Sequence, residues 1–228
     1  MPSIADNLDS IKAKINQAID ISEAHQEVKL VAVSKTQSIT ALRQAYAAGQ
    51  TCFGENYLQE ALNKQAELND LGIEWHFIGP IQSNKTQLIA KNFDWVHGVD
   101  RLKIAQRLSD ARVNQIPLQI CLQVNISGED SKSGVNPDEL SALAEDVMSL
   151  PNIKLRGLMT IPAPIEDTAI QRAQFIKMRT LLERLNQQGH QLDTLSMGMS
   201  SDYVIAIEEG ATMVRVGSAI FGERPPKH

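Results

Sequence analysis

The chain has 228 residues, 43% hydrophobic and 21% charged, with a formal net charge of -5. That length buries one sizeable core, so a single α/β domain over residues 1–228 is expected. Acidic and basic residues are mixed without a basic stripe, which excludes nucleic acid and anionic membrane as partners and leaves a small molecule.

In chain order, Ile4, Leu8, Ile11, Ile15 and Ile19 recur at helical spacing with early acidic residues, the mark of a helix rather than a signal peptide or a membrane span. Val28 to Ser34 is almost entirely apolar, reads as a buried parallel strand, and closes on Lys35. The pattern Ile39, Leu42, Tyr46 then predicts a helix that stops at Gly49. Apolar runs follow at 51–54, 75–79, 95–99, 118–126, 155–161, 192–197 and 212–220, with helical patterns between them, such as 102–108, 139–150 and 168–188. The only cysteines, Cys52 and Cys121, lie inside such runs and read as buried reduced thiols, which points to the cytoplasm. Eight strand-then-helix units in this length predict a (β/α)8 TIM barrel preceded by an N-terminal helix, with a doubly wound open sheet as the competing architecture.

In either fold, ligands meet the carboxyl ends of the strands. Lys35, Glu55-Asn56, Gly79, the segment after Ile126, Thr160, Ser200-Ser201 and Gly217-Ser218 should therefore converge. A strongly hydrated ammonium at the mouth of a core either reaches solvent or has chemistry to do, such as Schiff-base formation with a carbonyl. Ser200, Ser201, Gly217 and Ser218 fit a phosphate cup after strands seven and eight, where small residues let backbone N–H groups face an anion. Arg215, inside the apolar run Val214 to Val216, needs a partner: either a ligand's ring nitrogen or phosphate, or a barrel carboxylate such as Glu55.

An imine-forming lysine, a phosphate cup and a ring-nitrogen donor together describe one cofactor, pyridoxal 5′-phosphate (PLP). An arginine at the ring nitrogen, always a cation, leaves that nitrogen unprotonated and weakens the electron sink, so modest carbanion chemistry or none is expected. The histidines His25, His76, His97, His190 and His228 show no metal-ligand spacing, and no metal site is expected. His76 reads as a core histidine. Lys132, in the charged turn from Gly128 to Gly134, could reach a ligand at the same barrel face.

With these residues in view, the chain resembles the pyridoxal phosphate homeostasis family, single-domain relatives of the alanine racemase barrel. The resemblance covers nearly the whole chain and is carried by Val31 to Lys35, Phe53 to Glu60, His76 to Lys85, Val124 to Ser127 with Lys132 to Gly134, Gly157 to Ile161, and Ser196 to Gly222. The family usually shows leucine where Ile81 stands, a change that keeps side-chain volume. The resemblance implies that Lys35 carries PLP as a Schiff base with Asn56 beside it, that Ser200, Ser201, Gly217 and Ser218 hold the phosphate, and that Arg215 faces the pyridine nitrogen. It implies a protein that buffers and delivers PLP, sustaining vitamin B6 and amino-acid balance, without established turnover and with PLP-dependent apo-enzymes as candidate recipients. The alternatives are a PLP-dependent amino-acid racemase using Lys35 with Tyr57, the only plausible tyrosine, or a solvent base, and a cofactor-free aldolase using an imine. No heptad or broad apolar stripe demands a dimer, so a monomer is expected.

Overall fold

The computed structural model describes residues 2–22, 26–128, 133–163 and 165–222. Eight parallel strands, β1 (Lys29–Val33), β2 (Cys52–Glu55), β3 (Glu74–Phe77), β4 (Trp95–Val99), β5 (Leu118–Gln123), β6 (Ile153–Met159), β7 (Thr194–Ser196) and β8 (Met213–Val216), close into a barrel in sequence order. Closure is made by β8 against β1, with Leu30 opposite Val214 and Ala32 opposite Val216. The predicted barrel is thus the observed one, and the open sheet is excluded.

Helix α1 (Ile4–Ile21) starts at Ser3, whose hydroxyl accepts from the Asp6 N–H while the Asp6 carboxylate accepts from the Ser3 N–H, a reciprocal cap. Its buried stripe of Leu8, Ile11, Ile15 and Ala18 packs toward α2 (Ile39–Ala47), α8 (Tyr203–Glu208) and α9 (Ser218–Phe221), covering the seam where the last unit meets the first. The outer ring is completed by α3 (Leu58–Glu67), α4 (Thr86–Asn92), α5 (Leu102–Ala111), α6 (Leu140–Met148) and α7 (Thr168–Gln187). The main core lies between sheet and helices; Val31, Trp95, Cys121, Met159 and Met213 form a separate small cluster. Among the described residues, no helix is long and apolar enough to cross a membrane.

The sequence-derived strands differ from the observed ones mainly at their ends. The run 212–220 is two elements: β8 ends at Val216, Gly217 breaks the strand at φ -120°, ψ -75°, and Ser218–Phe221 is helical with Ile220 buried. An apolar run alone does not separate a short strand from a buried helical turn. The run 118–126 likewise leaves the strand after Gln123, with Val124 bridging Val135.

Candidate functional site

At the carboxyl ends of the strands lies a cavity of about 310 Å³. The seven residues chosen for a ligand line it, Lys35, Asn56, Ser200, Ser201, Arg215, Gly217 and Ser218, whereas Glu55, Gly79 and Thr160, also expected at this face, do not. Val33, Gln37, Ile78, Ile161, Met199 and Gly222 complete the wall. These six escaped the sequence reading; Val33, Ile78, Ile161 and Met199 are apolar, and only nearness to a strand end or loop already chosen pointed to them.

The Lys35 turn is held from below. The Ser34 N–H donates to the Gly54 carbonyl (2.9 Å), its hydroxyl donates to Glu55 Oε1 (2.5 Å), and the Gln37 N–H closes a turn onto the Ser34 carbonyl (3.0 Å). Thr36 sits in the left-handed region at φ 65°, and its N–H donates to Glu60 Oε1 (2.5 Å). Lys64 ties these together, its Nζ donating to the Ser34 carbonyl (2.6 Å), Glu55 Oε1 (2.7 Å) and Glu60 Oε1 (2.5 Å). Lys64 and Glu55 are both buried, and burial pushes the Glu55 carboxyl above its ordinary pKa despite the ammonium beside it. Across the mouth, Gly79 lets the backbone of Asn56 come close: a Cβ at Gly79 would stand 2.2 Å from the Asn56 carbonyl oxygen. Asn56 Oδ1 is buried without a hydrogen-bond partner, an acceptor at a cavity-lining residue.

The opposite wall is built by β7, β8 and their loops. The Ser200 hydroxyl accepts from the Gly217 N–H (3.3 Å), joining the two loops expected to form the anion cup. A Cβ at Gly217 would meet the Val33 carbonyl at 3.1 Å, so glycine sets how closely this loop approaches β1. Arg215 is 3% exposed and donates to Ser196 Oγ (2.6 Å) and the Thr160 carbonyl (2.8 Å). Glu55, the carboxylate considered for it, is instead committed to Lys64. Burial pushes the Arg215 pKa down to about 10, still a cation at neutral pH.

Tyr57 is 52% exposed and does not line the cavity, and neither do Tyr46 and Tyr203. His76 is fully buried, as expected of a core histidine, between Glu74 (2.8 Å) and His97 (3.0 Å). Lys132 lies outside the described residues, as do His25 and His228. One cluster of possible metal ligands occurs among the described residues, Cys52, Glu74 and His76, away from the cavity. Its Glu74 Oε1 already accepts from Lys29 (2.7 Å), and the Cys52 thiol is pushed up to about 11 by burial.

The cavity thus offers an amine, paired hydroxyls on glycine-bearing loops and a guanidinium, a set that fits PLP. Residues 7–225 match the family model described as alanine racemase, N-terminal domain. The chain is 58% identical over 226 residues to the pyridoxal phosphate homeostasis protein of Pseudomonas aeruginosa, covering 98% of this chain and 97% of the relative. The protein of that name from Vibrio alginolyticus is 52% identical, with 98% and 99% covered. Among solved structures, PipY of Synechococcus elongatus PCC7942, with PLP bound, superposes with a TM-score of 0.86 at 40% identity, covering 96% of this chain and all of that one. This chain belongs to the pyridoxal phosphate homeostasis protein family.

Proposed function

We propose that this protein binds PLP and buffers and delivers it, sustaining vitamin B6 and amino-acid balance without catalytic turnover of its own. PLP brings an aldehyde for a lysine amine, a phosphate and a pyridine ring. In this reading Lys35 holds the aldehyde carbon as a Schiff base, Asn56 lies beside it, Ser200, Ser201, Gly217 and Ser218 take the phosphate, and Arg215 faces the ring nitrogen. The carrying observation is the convergence of these seven residues on one cavity. A relative at 40% identity solved with PLP bound supports it. The ring-nitrogen partner also favours carriage over chemistry: a permanent cation disfavours a protonated pyridine and so a strong electron sink. A cytoplasmic monomer exchanging PLP with apo-enzymes is the setting that fits this role.

The test is the visible absorption spectrum of the full chain with PLP, before and after borohydride reduction, followed by peptide mass mapping. A reducible band with the adduct on Lys35, absent in Lys35→Ala, is expected. No band after incubation with added PLP, or an adduct elsewhere, would overturn the assignment. Steady amino-acid racemisation lost in Lys35→Ala would replace the carrier by the racemase.

A further inference from the structure

Below the cavity, the barrel lumen holds a continuous polar series that the proposed function leaves unused. Arg215 on β8 donates to Ser196 Oγ on β7 (2.6 Å); Ser196 Oγ lies 2.8 Å from His97 Nδ1 on β4; His97 Nε2 lies 3.0 Å from His76 Nδ1 on β3; and His76 Nε2 lies 2.8 Å from Glu74 Oε1. Strands β4 and β7 are not neighbours, so the His97–Ser196 bond crosses the lumen. Ser196, His97 and His76 are fully buried, while Glu74 is 34% exposed and lines a second cavity with Lys29, Trp95 and Arg156.

The ends of the series fix its direction. A guanidinium only donates and an ionised carboxylate only accepts. Four hydrogen bonds must be filled, and one proton from each of Arg215, Ser196, His97 and His76 fills them with none left over. The Ser196 hydroxyl therefore donates to His97 Nδ1, His97 Nε2–H donates to His76 Nδ1, and His76 Nε2–H donates to Glu74. Protonating His76 would set its Nδ1–H against the His97 Nε2–H, and protonating His97 would turn its Nδ1–H on Ser196 and displace the serine's own hydrogen. Consistently, burial holds both histidines below their ordinary pKa, while the His76 hydrogen bond, with Lys29, holds Glu74 well below the carboxylate range. Lys29 Nζ (2.7 Å) and Cys52 Sγ (3.4 Å) donate to the same Glu74 oxygen, and His76 stacks on Trp95 with ring centroids 5.6 Å apart.

We propose that Glu74, at the opposite end of the barrel, is a positioning residue for the cofactor's pyridine ring, acting through this one-way series on Arg215. A hydroxyl whose own hydrogen is already donated is the better acceptor, and hydrogen bonds in series strengthen one another in a low-dielectric interior. Glu74 thereby keeps the Ser196 lone pair turned to Arg215 and the guanidinium in one orientation toward the cavity. With no acceptor at the far end, the histidine tautomers are free to reverse; Ser196 then receives from both neighbours and its own hydrogen is displaced.

The proposal rests on the PLP reading, and its test separates the two. In the full chain carrying ¹⁵N-histidine, two-bond ¹H–¹⁵N spectra report which ring nitrogen bears the proton. Wild type should show Nε2–H at both His76 and His97, an observation that needs neither variant nor cofactor. Glu74→Met should move His97 toward the Nδ1–H form, shift the absorption maximum of bound PLP, and weaken its binding about three- to tenfold. Glu74→Gln, which keeps an acceptor oxygen, should restore the wild-type tautomers and most of the affinity. Arg156→Met, which alters the same lower cavity outside the series, should change neither. Nδ1–H tautomers in the wild type, or a Glu74→Met protein with the tautomers, band and affinity of Arg156→Met, would overturn the proposal. A wild type that takes up no PLP would overturn the PLP reading as well, an outcome distinct from a wild type that binds while Glu74→Met binds equally well.

Discussion

Replacing Lys64 by methionine removes a buried ammonium while keeping most of the side chain's volume. Three acceptors each lose one, charged, donor at once: the Ser34 carbonyl, Glu55 Oε1 and Glu60 Oε1. Glu60 is partly exposed and rehydrates, but Glu55 is fully buried and its Oε2 already has no partner, so its charge becomes uncompensated. Breaking a buried pair from one side costs about 3–5 kcal/mol, a large share of the ~5–15 kcal/mol that holds a domain folded. Urea unfolding of Lys64→Met should show a loss of about 4 kcal/mol, and the Lys35 turn, freed of two anchors, should take up PLP poorly. Adding Glu55→Gln removes the stranded charge and should return at least half of the stability, since replacing both members of a buried pair is often close to neutral. The sign with pH follows from Glu55. Burial raises its folded pKa above 4.5, so the folded state binds the proton more tightly; that contribution is fully present below 4.5 and is lost as pH rises through the folded value. With Lys64 gone the shift is larger, and Lys64→Met should gain stability on acidification from neutrality. A loss under about 1 kcal/mol, or a double variant no better than the single one, would refute the reasoning.

Gly79→Ala places a Cβ 2.2 Å from the Asn56 carbonyl oxygen and should lower stability by about 2 kcal/mol or more while weakening PLP uptake; an unchanged melting temperature would show that the strand end yields freely. His76 and His97 are held neutral in the folded state below their ordinary 6.5, so between the folded values and 6.5 the unfolded chain binds more protons and stability falls as pH drops. The limiting slope is about 1.4 kcal/mol per pH unit for each histidine, readable as a falling urea midpoint from pH 7 to 5.5; a flat profile would contradict their burial as neutral groups.

The fold was legible because a barrel repeats one signal. Each apolar run bounded by a helical pattern marks one unit, and the count decided closure over an open sheet. The site was legible for a related reason: parallel strands deliver their last residues to one face, so Lys35, Asn56, Ser200 and Gly217 meet although 182 positions separate the first from the last. What escaped is what only closure brings together. His97 is a lone histidine in an apolar strand, and its partner Ser196 lies 99 positions away across the lumen. Lys64 with Glu60 has the spacing of an ordinary surface pair on a helix, yet the turn after β1 covers it and brings Glu55 to the same ammonium. The split of the run 212–220 at Gly217 was hidden because Ile220 is equally buried as strand or as helix.

Two cations are buried near the cavity, and the protein treats them in opposite ways. Lys64 meets two carboxylates within 2.7 Å, and its charge is spent inside the fold, holding the turn that presents Lys35. Arg215, equally buried, donates to the hydroxyl of Ser196 and the carbonyl of Thr160, both neutral, while Asp202 favours its charge only from a distance. A charge left facing neutral acceptors at a cavity wall is poorly compensated by the protein, and a ligand bringing electron density to that wall gains from it. A pyridine nitrogen lone pair does so without carrying a proton, because a second positive charge beside Arg215 is disfavoured. In the proposed reading, with Arg215 at the ring nitrogen, the arrangement that favours binding the ring would also withhold the protonation that drives carbanion chemistry on it. That trade is the one expected of a protein that holds a cofactor and gives it up again.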